Sequence, residues 1–457
     1  MRNSQLRAPR IGFLIQHQLK SDRLETSATQ QIQPPRGMND ILPSEIAAWQ
    51  RLEEIARELF AAYAYREIRV PIVEHTALFK RSIGEFTDIV QKEMFTFEDP
   101  GGDSLTLRPE ATAGIVRAMI TNGLLHNQRQ RVWCAGQMFR HEKPQRGRFR
   151  QFYQLDAEAF GYPGPDIDAE MIMLSARLLN RLGLQRLELN LNSLGTPASR
   201  RTYRDRLVEY FSAHKSRLDS DSLRRLEGNP LRILDTKNPD LQDLIADAPL
   251  LTEYLDVPSR EHFEGLCRHL DSVGIAYVLN PRLVRGLDYY THTVFEWVTN
   301  ELGSQGAVCS GGRYDGLVAQ LGGESTPAIG WALGQERIVE LLNVQQGQVP
   351  STAPDIYFVI SGEQAQAAGL ALAEQLRNEL PAVRIETNCG GGSFKAQLKR
   401  ADRSGAEFAL VLGDSETERR LVGLKSLRVE TEQVEVPWDG LVAELRTKLT
   451  SRAKART

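Results

Sequence analysis

Residues 131–161 read RVWCAGQMFRHEKPQRGRFRQFYQLDAEAFG, two strand-like runs flanking the eleven residues Arg140–Arg150, of which five are Arg or Lys and one is Glu. Arg131–Phe139 is apolar and β-prone. Gln151–Phe160 alternates, so a period of two puts Phe152, Gln154, Asp156, Glu158 and Phe160 on one face and Tyr153, Leu155, Ala157 and Ala159 on the other. The pattern predicts a β-hairpin whose basic tip grips phosphate. Its apolar face can pack, which leaves an aromatic platform, an amide and two carboxylates for a pocket, the inventory of a small-molecule site. Taken alone, the stretch also reads as a solvated hairpin with a charged tip.

Other stretches narrow the choice. Pro35–Pro43 reads PRGMNDILP, Thr106–Ala113 TLRPEATA, Leu283–Trp297 LVRGLDYYTHTVFEW, Cys309–Val318 CSGGRYDGLV and Ala328–Leu341 AIGWALGQERIVEL. With FRHE at Phe139–Glu142, they resemble the signatures of the histidyl-tRNA synthetases, a family of class II aminoacyl-tRNA synthetases. FRHE and its Arg-rich loop look like motif 2, AIGWALGQERIVEL like motif 3, and the LVRGLDYY and GGRYDG stretches like the two histidine-specific signatures. The likeness covers most of residues 34–435, in the family's order. Two departures, Gln335 before the Glu-Arg pair and Ala111 where Gly is common, remove no functional group.

The resemblance implies an α+β fold. A class II antiparallel sheet flanked by helices would occupy residues 34–345, with a helical insertion at about 193–276 and a C-terminal α/β anticodon-binding domain at about 354–445. It implies that L-histidine is activated with ATP, accompanied by Mg²⁺, to histidyl-adenylate and pyrophosphate, and then transferred to the 3′ end of tRNA(His). Two anions meet in that reaction, the amino-acid carboxylate and the α-phosphate, so cations must screen the approach. By the resemblance Arg140, Arg285 and Arg337 are catalytic. Arg140, Glu142, Arg148, Phe152 and Arg337 hold ATP. Glu110, Ala111, Thr112, Arg140, Gln154, Glu158, Arg285, Tyr289 and Tyr290 line the histidine site. Within it Glu110, Thr112 and Gln154 hold the α-ammonium, Glu158 and Tyr290 take the two ring nitrogens, and Tyr289 closes the pocket. The alternatives are a non-catalytic regulatory subunit of ATP phosphoribosyltransferase, which lacks the anticodon-binding domain and usually loses catalytic arginines, and a class II synthetase for proline, threonine or glycine.

Composition agrees with a large cytosolic-type enzyme of two or three domains: 457 residues, 41% hydrophobic and 25% charged. A net charge of −3 means that any nucleic acid must be held by local basic patches. Cys134, Cys267, Cys309 and Cys389 form no CxxC pair, and His262, Cys267 and His269 share no helix face, so they read as ordinary helix residues and no resident metal is expected. The apolar runs fall far short of the roughly twenty residues that a membrane span needs. Residues 1–33 are Arg-rich and, in their first twenty, free of acids; they read as a disordered extension or a start assigned too early, an organellar transit peptide being the other reading.

Read for organisation, Ser44–Tyr63 is helical with Ser44 as N-cap, and Tyr65–Val73 is a strand broken near Pro71; in the family this unit is the dimer interface, which implies a homodimer. Asp168–Leu182 reads as a helix and Arg186–Asn192 as a strand. Asn343–Pro354 reads as a linker. Beyond it, strands at Asp355–Ile360, Val383–Thr387, Phe408–Leu412 and Leu427–Val429 alternate with helices at Glu363–Leu380 and Ser393–Arg403. The latter helix carries a stripe, Lys395, Lys399 and Arg403, that is a solvated face or, by the resemblance, with Arg400, a tRNA contact.

Overall fold

The predicted hairpin is present in the computed structural model, which describes residues 31–456 except 85–86, 146, 237, 304–305 and 347–352. The expectations for residues 1–30, and for most of the linker, lie outside the described residues. Strands Gln130–Phe139 and Gln151–Phe160 pair antiparallel over their full length, from Gln130 opposite Phe160 to Phe139 opposite Gln151. Next to them runs Ala328–Gly334, with Gly330 opposite Glu158 and Ala332 opposite Asp156. Ala307–Arg313, Thr291–Val298 and Glu188–Ser193 follow, all antiparallel, and the short strands Arg66–Glu67 and Val278–Leu279 add parallel edges.

The period-two reading of the second hairpin strand holds. Leu155, Ala157 and Ala159 face a core with Trp331, Leu333 and Phe295, under the helices Ile46–Ala62, Pro165–Arg181 and Gln335–Gln346. Each large apolar side chain buried there contributes about 1.5–3 kcal/mol. Phe160 belongs to the opposite face, where helix Thr112–Thr121 and the insertion cover what the cavity leaves.

Boundaries differ from expectation in places, for local reasons. The N-cap of the first helix is Glu45, whose side chain makes no capping bond, so Ser44 plays no such part. The expected strand Tyr65–Val73 is split: Arg66–Glu67 pairs with the hairpin, with Ile68 N bonding Trp133 O, and Val73 pairs with Leu107 in a separate three-stranded sheet. Pro71 has no N–H to donate, and the Val70 carbonyl is taken by the Arg108 side chain at 3.1 Å. Residues 193–276, expected as a helical insertion, are mostly helical and pack in two directions. Helix Val257–Ser272 packs on Pro165–Arg181 and puts Leu266 and Leu270 into the main core, whereas Tyr203, Leu207 and Phe211 of Pro197–Ala213 pack on the cavity side. The first four residues of the expected linker, Asn343–Gln346, are helical, and Gln345 and Gln346 bond Gln185 O and Leu182 O.

The C-terminal part is a five-stranded α/β layer in the order Ile385–Thr387, Ile356–Ser361, Phe408–Gly413, Leu421–Ser426, Val434–Pro437, the first three parallel and the last two antiparallel. The expected strand Leu427–Val429 is in fact the turn after Leu421–Ser426. Gly423 makes that stretch look unlike a strand, yet a Cβ there would lie 2.4 Å from Gln433 Nε2. Strand Val434–Pro437 and helix Trp438–Arg456 were not foreseen.

Candidate active site

A cavity of about 680 Å³ opens over the polar face of the large sheet, a size suited to a small molecule. The hairpin, loop 280–290 and the strand–helix unit Ala328–Gln346 build most of it. Of the residues singled out in the sequence, Glu110, Thr112, Arg140, Glu142, Arg148, Phe152, Gln154, Arg285, Tyr289, Tyr290 and Arg337 all line it. Ala111 is buried where helix Thr112–Thr121 begins. Glu158 sits behind the lining: Thr112 Oγ1 donates to one carboxylate oxygen at 2.6 Å and the Tyr314 hydroxyl donates to the other.

One end is acidic and dry. Glu110, Asp156 and Glu158 are 4%, 1% and 1% exposed. Burial raises the pKa of all three, Asp156 and Glu158 to about 8; nearby Glu110 adds to the rise of Asp156, and Asp156 and Glu110 add to that of Glu158. Glu110 Oε1 accepts from the Ala113 amide at 3.0 Å. Glu110 Oε2, Gln154 Oε1 and Asp156 Oδ2 are buried and accept from no donor among the described residues. Tyr289 and Tyr290 lie with ring centres 4.7 Å apart, and Tyr289 meets Tyr314 edge-on at 5.5 Å. Gly330 makes room for Glu158, since a Cβ there would fall 1.5 Å from Oε2.

The other end is basic and more open. The Arg140 guanidinium lies 5.2 Å from the centre of the Phe152 ring, and its Nε donates to Pro109 O at 2.8 Å. Arg148 pairs with Glu142 at 2.7 Å. Arg285 donates to Glu296 Oε1 and to Ser310 Oγ, each at 2.6 Å. Arg337 donates to Ala307 O, and burial, together with nearby Arg148, lowers its pKa to about 10. Both carboxylate oxygens of Glu336 accept from Tyr153 N, at 2.9 and 3.1 Å, which fastens the helix Gln335–Gln346 to the hairpin.

Sequence reasoning overlooked several of these groups. Asp156 is one of the two carboxylates of the predicted polar face, but the sequence assigns it to no part of a substrate. Tyr314, Glu296 and Ser310 were inside quoted motifs, but nothing local says that Tyr314 reaches Glu158 across 156 residues or that Arg285 finds Ser310 across 25. His262 is not an ordinary helix residue. Its Nε2 meets Asp168 at 2.8 Å, in a buried cluster where Asp168 also accepts from Thr293 and Arg313. Among the described residues no group of three or more His, Cys, Asp or Glu is arranged to hold a metal ion, and no helix is long and apolar enough to cross a membrane.

In the C-terminal layer, Gln397 bonds both the N–H and the C=O of Ile360, at 2.9 and 2.7 Å, and Ala401 is buried, so helix Phe394–Arg403 turns Lys395, Lys399 and Arg403 to solvent. Arg400 is engaged differently, bonding Asn388 Oδ1 at 2.8 and 3.1 Å and Gly391 O in the glycine turn.

Residues 37–338 match the family described as histidyl-tRNA synthetase, and residues 355–448 match the family described as anticodon binding domain. A histidine–tRNA ligase of Hydrogenovibrio crunogenus is 57% identical over 422 residues, which are 92% of this chain and 99% of the relative. The crystal structure of apo S. aureus histidyl-tRNA synthetase is 35% identical with a TM-score of 0.75, covering 91% of this chain and 99% of that one. That of histidyl-tRNA synthetase from Nostoc sp. PCC 7120, at 20% identity and a TM-score of 0.67 over 92% of this chain and 100% of that one, shares the fold.

Proposed function

The chain belongs to the histidyl-tRNA synthetase family, and from that premise we propose that its two-ended cavity is where histidine and ATP are joined, the acidic end holding the amino acid and the basic end the phosphates. The activity is that of a histidine–tRNA ligase: histidine and ATP give histidyl-adenylate, and the histidyl group passes to tRNA.

The observation that carries the division is the trio of unpartnered buried acceptors, Glu110 Oε2, Gln154 Oε1 and Asp156 Oδ2. Leaving each unmade costs about 1–3 kcal/mol, and an α-ammonium brings three N–H donors and a positive charge to the same place. Glu158, held by Thr112 and Tyr314, and Tyr290 would then meet the imidazole, with Tyr289 closing over it. Thr112 still has a lone pair for the ammonium after donating to Glu158.

At the basic end a carboxylate oxygen of histidine attacks the α-phosphorus, and the bond to the bridging oxygen breaks as pyrophosphate leaves. Arg140 and Arg285 flank the α-phosphate, while Arg148 and Arg337 take the outer phosphates. Phe152 lies under the adenine and Arg337 over it. Glu142, already bonded to Arg148, orients that arginine. Mg²⁺ arrives on the nucleotide. Catalysis is positioning and charge stabilisation, with no covalent enzyme intermediate. The transfer step has the tRNA 3′-terminal hydroxyl attack the carbonyl carbon, with AMP leaving. Lys395, Lys399 and Arg403, with Arg400 beside them, form the tRNA contact in the C-terminal part, residues 355–448. A homodimer in the cytoplasm completes the proposal. The regulatory-subunit alternative is weaker, because Arg140, Arg285 and Arg337 all line the cavity and an anticodon binding domain follows.

Pyrophosphate exchange measured with each of the twenty amino acids tests the cavity, with exchange expected for histidine alone because buried partners reject substrates lacking the matching bonds by about 10⁴. Exchange with proline or glycine, or with none, sinks it. Charging of tRNA(His) by the Lys395→Ala/Lys399→Ala/Arg403→Ala variant should fall and lose salt sensitivity while exchange is kept.

A further inference from the structure

Loop 280–290 carries Arg285, Tyr289 and Tyr290, yet apart from a turn at each end it has no regular structure, so no sheet ladder fixes its shape. Its carbonyls are held from outside. Arg200, on helix Pro197–Ala213 of the insertion, donates one N–H to Tyr290 O and another to Asp288 O at 3.3 Å. Arg232, on the short helix Pro230–Asp235, donates to Gly286 O at 2.6 Å, and neighbouring Asn229 donates to Asp288 Oδ1 at 2.8 Å. The grip is reciprocal. From the loop, Arg282 donates to Ala246 O and Ala248 O at 2.7 Å each and to Pro249 O at 3.2 Å.

Arginines in a segment reading SRRTYRDR would ordinarily be solvated charges. Arg200 is part-buried instead and spends its fork on two main-chain oxygens. A rigid planar guanidinium can span two carbonyls two residues apart; the point charge of a lysine cannot.

We propose that Arg200 and Arg232 are positioning residues through which the insertion sets the shape of the catalytic loop, Arg200 fixing Tyr289 and Tyr290 against histidine and Arg232 fixing Arg285 against the α-phosphate. The proposal rests on the reading of the cavity given above and adds a division of labour to it. Gly286 is the neighbour of Arg285, so losing its anchor should be felt in the chemical step. Tyr290 bears its own anchor, so losing that one should be felt in histidine binding.

The test uses the full-length Arg200→Lys and Arg232→Lys proteins in pyrophosphate exchange, with rates normalised to active sites by adenylate titration. Arg200→Lys should raise the histidine KM about tenfold and leave the ATP KM and kcat within about twofold, whereas Arg232→Lys should lower kcat about tenfold at an unchanged histidine KM. Lysine keeps the charge, so near wild-type constants in both variants would mean that charge alone matters and would overturn the proposal. Parallel losses in both, without the split between KM and kcat, would reduce the arginines to general structural supports and overturn it equally. A wild-type protein without histidine-dependent exchange would bring down the underlying reading, and the proposal with it.

Discussion

The two ends of the cavity are built by different means. The acidic end stands on sheet: Gln154, Asp156 and Glu158 are consecutive same-face residues of one ten-residue strand, locked by ladders on both sides. The basic end stands mostly on loops and strand termini: Arg140 and Arg148 in the hairpin tip, Arg285 in an irregular segment, Arg337 just past the end of a strand. Carboxylates buried in a fixed frame shift their pKa, whereas the arginines of the basic end are preorganised by side-chain and main-chain bonds from neighbouring segments. The contrast teaches that the buried carboxylates of the strand owe their place to the ladder, whereas Arg285, like Tyr289 and Tyr290 beside it, owes its place to contacts made from outside its own segment.

The sharpest break of that contrast would come from Arg285→Ala. Losing a charged contact of the transition state costs about 3 kcal/mol or more, so adenylate formation should slow by at least 10² while histidine affinity changes little. Pre-steady-state adenylate formation with equilibrium histidine binding decides it; an equal loss in both would dissolve the division.

Gly330→Ala addresses the acidic end from behind. Its Cβ would fall 1.5 Å from Glu158 Oε2 and 2.8 Å from Ala157 O, so the carboxylate must leave Tyr314. The histidine KM should rise about 10- to 100-fold with the ATP KM nearly constant, a selective loss of substrate contacts. An equal rise in both constants, with circular dichroism unchanged, would show that the ladder supports both ends alike.

The smallest effect is in stability against pH. Burial lifts Asp156 and Glu158 to about 8, so between the ordinary carboxylate range and that value the native protein binds more protons than the unfolded chain. Their contribution is therefore complete at low pH and lost as pH rises through about 8. The free enzyme should lose stability through these groups between pH 5 and 9, Asp156→Asn should flatten the profile, and histidine should stabilise more at the upper end. Thermal melts across that range check it. A flat wild-type profile identical to that of Asp156→Asn would mean that the carboxyls ionise in the folded protein as they do in the unfolded chain.

Much of the acidic end was legible in the chain because a strand's period of two is written into adjacent residues, and the polar face of Gln151–Phe160 could be read directly. The arginines were legible as members of quoted motifs. What hid were partnerships set by register: Glu296 and Ser310 on Arg285, Tyr314 on Glu158, His262 on Asp168. Each joins residues that become neighbours only after strands and helices far apart in sequence have packed. The misplaced strand at Leu427–Val429 has a local cause, for Gly423 disguises the true strand and the β-prone residues after it form a turn.

Asp168 gathers partners from three other elements, Thr293, Arg313 and His262, and the most distant, Arg313, lies 145 residues downstream. On a ribosome adding about 5–20 residues per second, its carboxylate leaves the tunnel roughly 7–30 s before that guanidinium does. Helix Pro165–Arg181 must therefore wait with an unpaired acid on its inner face, and an unpaired charge cannot be buried cheaply. The sheet cannot close behind the growing chain piece by piece. Its final docking waits for the strand that ends at Arg313 and then for Ala328–Gly334, which joins that strand to the hairpin, so the half-built domain stays exposed until both have been made.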